Sequence, residues 1–355
     1  MEAWLTSEWQ RNSPWQLLLR PVSWLFRMLT LIRRGAHRAG LLKSHSVGVP
    51  VIIVGNITVG GTGKTPLVLA LVEALTKRGK HCGIVTRGYQ RRKPEEWATV
   101  IHVVPTTVEV ASVGDEAALL ARRSGVPVYA GADRVEVART LLRNHAEIDL
   151  IVSDDGMQHY KLQRDIEICV VDGARALGNG ELLPAGPLRE PASRLNTVSA
   201  IVVNRNGGNA DPMRFSATTP VFAMTFTNEL FVNLKTDQRT GVNDALAAFQ
   251  GMHIHALAGI GHPQRFFSHL VDLGFALTAA QPFPDHYHYR AEDMPGSDAG
   301  IILMTEKDAV KCGTFADQRM WFMRVDAVLP DDLTDFVMNK LIHRKHDHVT
   351  RSEAA

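Results

Sequence analysis

The sequence predicts an α/β fold: a mostly parallel sheet flanked by helices, with a smaller second α/β lobe and an N-terminal amphipathic helix. Three observations predict it. Short β-branched apolar runs alternate with helix-period segments between residues 51 and 204. Gly60, Gly61 and Gly63 stand between the first such run and the first helical segment after it. A second, shorter alternation of the same kind follows from residue 253 onward. The expected organisation is residues 1–45 as the N-terminal helix, 46–210 as the core, 211–345 as the second lobe and 346–355 as a tail.

In the N-terminal segment Leu18, Val22, Leu25, Leu29 and Ile32 fall on one helical face, and Arg20, Arg27 and Arg34 on the other. Trp4, Trp9, Trp15 and Trp24 are four of the chain's six tryptophans, and tryptophan favours the headgroup level of a bilayer. Pro21 and the arginines interrupt the apolar run, which disfavours a membrane span, and no small-residue cleavage site closes a signal peptide. The expected arrangement is a helix lying in the cytoplasmic leaflet of the inner membrane, held by apolar burial and anionic lipid. The alternative is an amphipathic helix packed on the chain's own core.

Residues 51–54 read as a buried parallel strand and 67–75 as a helix. The loop between them, Thr58-Val59-Gly60-Gly61-Thr62-Gly63-Lys64-Thr65, is a phosphate-binding loop of the nucleoside triphosphatase kind. Glycines let backbone N–H groups converge on one anion, and the helix N-terminus adds partial positive charge. In such a loop Lys64 is expected to reach the β- and γ-phosphates, and Thr65 to offer its hydroxyl to Mg²⁺. Thr58 stands where the common pattern has its first glycine.

Residues 81–86 form the next strand, and Arg87 and Tyr89 follow at its carboxyl end, where ligands bind in open α/β sheets. Arg91, Arg92 and Lys93 make either an acceptor-side basic cluster or a solvated turn. A strand at 99–104 precedes a helix at 116–123. Asp115, at that helix's start, is either a cap or a base at the sheet edge. Residues 126–130 and 133–144 continue the alternation. The apolar strand ending in Asp154 and Asp155 resembles a Walker B element, whose carboxylates serve magnesium. Gln158 and His159 are candidates to orient substrate. Strands at 166–172 and 200–204 bracket a Gly/Pro-rich loop in which Arg189 can neutralise phosphate charge and Glu190 can help hold magnesium.

Residues 211–231 are expected to cross into the second lobe. Strands at 253–258, 275–282, 301–304 and 320–325 and helices at 263–273 and 333–342 complete it, with a frayed tail from 343. Asp285 and His286 lie in an aromatic loop, and Lys307 follows a strand end as a candidate for nucleotide or acceptor phosphate. His286 and His288 have spacing for a metal but lack a third soft ligand.

Composition supports a globular protein, at 45% hydrophobic and 21% charged residues with net charge +2. The basic charge is local: seven Lys and Arg against two acids in residues 1–45. That argues against a nucleic-acid binder. Cys82, Cys169 and Cys312 form no ligand pair or disulfide framework, which suits a reducing cytoplasm.

The ordered set of motifs at 56–66, 87–89, 114–116, 154–159, 188–191, 283–286 and 305–311 resembles tetraacyldisaccharide 4′-kinase, the lipid A kinase family of Gram-negative bacteria. The resemblance runs from the N-terminal helix to about residue 340, and Thr58 is usual in that family's loop. It implies transfer of the ATP γ-phosphoryl to the 4′-hydroxyl of a tetraacylated glucosamine disaccharide 1-phosphate, with Mg²⁺, at the cytoplasmic side of the membrane. It also implies a base aspartate assisted by a histidine, at positions matching Asp115 and His286. A monomer is expected. Two other classes fit part of the pattern. One is a MinD-like membrane-bound switch ATPase, which departs from it at Val59, where that group has a lysine. The other is a nucleotide-dependent binding module without catalysis.

Overall fold

A computed structural model describes residues 8–9, 14–88, 100–104, 110–205, 215, 218–296 and 298–353. Helix α1 (Pro14–Arg38) precedes β1 (Val51–Gly55), α2 (Lys64–Lys77), β2 (Cys82–Thr86) and β3 (Ile101–His102). Next come α3 (Val110–Val113), α4 (Asp115–Ser124), β4 (Val128–Ala130), α5 (Arg134–Asn144), β5 (Leu150–Asp154), β6 (Ile166–Asp172) and β7 (Ala200–Asn204). The chain continues through β8 (Val221–Asn233), β9 (Arg239–Gly241), α6 (Val242–Ala248), β10 (Ile254–Ala258), α7 (Pro263–Asp272) and β11 (Leu277–Pro282). It ends with β12 (Ile301–Thr305), α8 (Glu306–Cys312), β13 (Met320–Val328) and α9 (Asp331–Glu353).

The strands form one 13-stranded sheet ordered β11-β10-β12-β13-β8-β7-β6-β1-β5-β2-β4-β3, with β9 pairing β8. β1 sits between β5 and β6, parallel to both. Its residues alternate between two cores: Ile52 and Val54 pack with Leu67, Leu71 and Leu75 of α2, and Val51 and Ile53 pack on the opposite face with Leu141 and Met157. Burial on both faces is why the strand reads as an unbroken apolar run. Parallel β1, β2 and β5 place the loops carrying Gly60, Arg87 and Asp155 at one edge of the sheet.

β8 joins the two halves. Residues 221–224 pair in parallel with β7, while residues 225–233 pair antiparallel with β13. A 13-residue strand is therefore shared, and the second half adds a core of its own around Phe231, Phe267, Leu303 and Trp321. Two boundaries differ from expectation. The strand expected over 99–104 is only Ile101–His102. The C-terminal helix, expected to fray from 343, runs to Glu353; residues 343–353 contain no Gly or Pro to stop it.

Helix α1 is turned against the usual sense of an amphipathic helix. Leu18, Val22, Leu25, Leu29 and Ile32 all face solvent, Leu18 at 69% and Trp24 at 67% exposure. Its polar face meets the protein instead. Ser23 Oγ donates to Leu182 O at 3.0 Å and accepts from Ala185 N at 3.0 Å. Arg20 pairs with Glu181 at 3.1 Å, and Arg34 donates to Thr197 Oγ1 at 2.8 Å. A contiguous apolar surface of this kind marks an interaction site. No helix among the described residues is long and apolar enough to cross a membrane.

Candidate active site

The loop after β1 is fixed from several sides. Val59 N donates to Pro187 O at 2.9 Å and Arg189 N to Ile57 O at 2.7 Å, so the Gly/Pro loop before residue 191 clamps it. Thr58 forms an antiparallel bridge with Leu188. Gly63 stands at φ 94°, and a Cβ there would lie 2.8 Å from Asn204 Nδ2, so only glycine fits. Asn56 ties the loop internally: its Nδ2 donates to Thr62 Oγ1 at 3.2 Å, and its Oδ1 accepts from Lys64 Nζ at 3.3 Å. Thr65 follows in the first turn of α2.

The β5 carboxylates lie against this loop because Val54 and Asp154 are register partners. Asp155, at φ 48°, pairs with Lys64 at 3.5 Å and with Arg189 at 3.3 Å. Burial works to raise its pKa, and the charges of Lys64 and Arg189 overcome it, holding the carboxyl below its ordinary value. Asp154 is different. It is 1% exposed, and its Oδ1 has no hydrogen-bond partner among the described residues. Burial, then the neighbouring Glu116 and Asp155 carboxylates, push it up to about 7 against the opposing charge of Lys64. Helix α4 packs against α2, and the Glu116 carboxylate in its first turn is close enough to act on Asp154.

At the N-terminus of α4 Asp115, 5% exposed, meets the second half of the chain. His286 Nδ1 lies 2.8 Å from Asp115 Oδ2, and Glu116 N donates to Asp115 Oδ1 at 2.9 Å. An ionised carboxylate can only accept, so Nδ1 carries the proton in that bond. Lys307 Nζ is 3.7 Å from Asp115 Oδ2, 3.2 Å from Asp285 Oδ1 and 3.4 Å from His286 Nε2. Burial favours the neutral acid, but the His286 hydrogen bond and then the Lys307 charge outweigh it and hold Asp115 at about 2. His286 itself sits at φ 61°, a backbone region costly for non-glycine residues and concentrated at functional sites.

Several expected site residues are placed otherwise. Lys307, a candidate for phosphate contact, lies with Asp115, Asp285 and Glu116 on the acid–histidine side; α8 packs on α4 and aims it there. Glu190, a candidate metal ligand, is fully enclosed: Gln158 Nε2 donates to its Oε1 at 2.8 Å, Tyr160 OH to its Oε2 at 2.5 Å, and Arg194 pairs with it at 3.2 Å. Gln158 Nε2 also donates to Asn56 O at 3.2 Å, so it braces the nucleotide loop. His159 is driven down to about 3 by burial and by the charges of Arg134 and Arg87, which keeps it neutral. Tyr89, Arg91, Arg92 and Lys93 lie outside the described residues.

Two contributors were not singled out from sequence. Asn56 is one; its place immediately before the loop was a signal. Arg175 is the other. It donates through Nη2 to Gly61 O and through Nη1 to His262 Nε2 at 2.7 Å, and it pairs with Asp172 at 3.2 Å. Asp172 also takes Arg265 of α7 at 2.7 Å, so this network ties the glycine turn to the second half. No motif marks the network, because its links span 114, 87 and 93 residues.

Comparison with known proteins agrees with this arrangement. The family model described as LpxK, tetraacyldisaccharide-1-P 4′-kinase, matches residues 15–342. A tetraacyldisaccharide 4′-kinase of Methylobacillus flagellatus is 46% identical over 340 residues, covering 95% of this chain and 96% of that protein. Its counterpart in Shewanella amazonensis is 41% identical, covering 96% of each. The crystal structure of LpxK from Aquifex aeolicus in complex with ATP superposes with a TM-score of 0.78 at 28% identity, covering 92% of this chain and 99% of that one. A match over nearly the whole length, in sequence and in fold, places this chain in the tetraacyldisaccharide 4′-kinase family.

Proposed function

We propose that this chain transfers the γ-phosphoryl group of ATP to the 4′-hydroxyl of a tetraacyldisaccharide 1-phosphate, giving lipid IVA, with Asp115 as base. The observation that carries the reading is the Asp115–His286 pair, 2.8 Å apart, assembled from the two halves of the chain at the start of α4, which packs on the helix that follows the nucleotide loop. The sugar oxygen attacks the γ-phosphorus, its proton passes to Asp115 Oδ2, and ADP departs. A sugar hydroxyl is a poor nucleophile, so a positioned carboxylate helps. His286 and Lys307 orient that carboxylate and later take up the electrostatic cost of its changed charge. Lys64 neutralises the transferring group, and Arg189 lies beside it through Asp155. Arg87, Tyr89 and His159 are assigned to the acceptor side, and Gln158, whose amide nitrogen is engaged by Asn56 O and Glu190, could reach the acceptor only through its Oε1.

The residues fit Mg²⁺. Asp154 Oδ1, buried with no hydrogen-bond partner among the described residues, and the Thr65 hydroxyl in the first turn of α2 are hard donors of the kind a dication needs. Asp154 and Thr65 would hold the ion, with Asp155 less available because Lys64 and Arg189 engage it. When bound, the ion supplies charge neutralisation at the phosphates. The direct test of the function is incubation with γ-labelled ATP and an acylated disaccharide 1-phosphate in detergent micelles. Label must appear on the lipid; release of labelled phosphate without lipid labelling would instead favour a switch ATPase.

Asp154 gives a pH-dependent expectation. Its folded pKa, about 7, lies above its ordinary value of 3.8. The native state therefore binds the extra proton, and stability falls as pH rises from about 4 through 7. Asp154→Asn should flatten that slope and make the metal-free protein more stable than wild type at pH 8, measured by urea unfolding at pH 5 and pH 8. Mg·ATP should bind more tightly as pH rises, with proton release seen by calorimetry in two buffers. Wild-type stability that does not change between the two pH values would remove Asp154 from this role.

The exposed stripe of α1 is assigned to the membrane interface, where the acceptor's acyl chains remain. Replacing both Leu25 and Leu29 by Asp should release the protein from vesicles, because each loses about 1.5–3 kcal/mol of apolar burial. Flotation with phosphatidylcholine vesicles reads the effect. Unchanged flotation would mean that another surface docks.

A further inference from the structure

Beneath the C-terminal end of α1 lies a solvent-open cavity of about 240 Å³. Arg34, Arg38, Arg164 and Arg194 line it with His37, and one carboxylate, Glu167, faces them. Glu167 already serves two of the four: its Oε1 accepts from Arg164 Nη1 at 2.9 Å and from Arg194 Nη2 at 2.5 Å. Arg194 also pairs with Glu190 behind the lining at 3.2 Å, which leaves Arg34 and Arg38 without a carboxylate partner among the described residues. Arg34 is buried, yet it donates to a neutral group, the Thr197 hydroxyl, at 2.8 Å. Burial and then the charges of Arg194 and Arg38 lower the Arg34 pKa, and burial and then Arg33 lower that of His37. Positive charge therefore exceeds negative within the cavity.

Its location narrows the ligand. Ile32 and Leu41, beside the cavity's helical wall, are 60% and 80% exposed and continue the outward apolar surface of α1. With that surface at the membrane, the cavity lies at headgroup depth. Guanidinium forks match phosphate oxygens, in number and in plane, better than any other common anion at that depth.

We propose that this cavity binds a phosphate group carried on a membrane lipid. The lipid is either an anionic phospholipid or the acceptor itself through its 1-phosphate; the second source rests on the function proposed above, the first does not. The test compares Arg34→Gln/Arg38→Gln with a charge-matched control, Arg27→Gln/Lys43→Gln, whose positions are exposed and outside the cavity. One arm measures binding of the full chain to phosphatidylcholine vesicles with and without phosphatidylglycerol. The other measures KM in phospholipid-free neutral micelles for acceptors with and without the 1-phosphate.

A phospholipid source predicts that the cavity variant loses roughly tenfold more phosphatidylglycerol-dependent affinity than the control. An acceptor source predicts a KM increase of similar size confined to the 1-phosphate acceptor. Equal losses in the two variants, with unchanged KM values, would reduce the cluster to diffuse electrostatics and overturn the proposal. Binding to pure phosphatidylcholine must persist as the check on folding. If the glutamine variant unfolds, Arg34→Lys/Arg38→Lys keeps the charge and removes the fork, and it must show the same selective loss. Absence of transfer by the wild-type chain would overturn the function while leaving the vesicle arm decisive.

Discussion

Asp115→Asn is expected to lower kcat by about 10² to 10⁴-fold while leaving ATP affinity nearly unchanged. The asparagine keeps the size and the bond from Glu116 N but cannot take the sugar proton. ATP binding should survive because Asp115 is engaged by His286, Lys307 and Glu116, none of which belongs to the glycine loop. His286→Ala should cost less, since it removes the orienting group and leaves the base. Combining the two should cost little more than Asp115→Asn alone, because the residues act as one unit.

The pH profile offers a separate check on the same pair. Asp115, held at about 2, stays ionised across the working range, so it should contribute no acid limb near neutrality. Its share of folding stability is present above its ordinary carboxylate pKa and is lost as pH falls toward 2. An acid limb in kcat/KM near pH 7 should follow Asp154 and move to lower pH as Mg²⁺ is raised. A limb that stays fixed over a wide range of Mg²⁺ would assign it to another group. An Asp115→Asn enzyme within a few fold of wild type would remove this carboxylate from proton transfer.

Lys64→Ala is the second large expectation: a fall in kcat/KM on the order of 10³ or more, with weakened Mg·ATP binding. Two losses combine. The transferring phosphate loses its cation, and Asp155 and Asp154 lose the charge that offsets their mutual repulsion. The pKa of Asp154 should therefore rise further in the variant and its pH-dependent stability become steeper. Lys64→Arg should recover part of the carboxylate pairing but little transfer, since the fork does not fit where an ammonium sits 3.3 Å from Asn56 Oδ1. Normal turnover by Lys64→Ala would refute the loop assignment. Steady-state kinetics with an ATP titration separates these outcomes.

The glycine loop, the β5 aspartates and the strand–helix alternation were legible because each is a local pattern. Five to eight residues set a strand's burial or a loop's turn, and neighbours in sequence are the neighbours that matter. The stripe Leu18-Val22-Leu25-Leu29-Ile32 was legible for the same reason, but its direction was not. Periodicity states that a helix has two faces; only packing shows that Ser23 and Arg34 face the protein and the leucines face out. Residues 211–231 carried little signal because β8 changes partners midway, parallel to β7 and then antiparallel to β13.

By itself, then, the sequence determined the α/β class, the glycine-rich loop, the paired aspartates at the end of β5 and the amphipathic character of α1. Tertiary structure decided what the charged groups do to one another. It set His286 against Asp115 across 171 residues, moved Lys307 to that pair, closed Glu190 into a brace and left Asp154 Oδ1 buried with no hydrogen-bond partner among the described residues. The physical reason is range. Backbone conformation and apolar period are fixed within a few residues, whereas Coulomb interaction and desolvation depend on distance and burial, which exist only once strands far apart in the chain lie side by side.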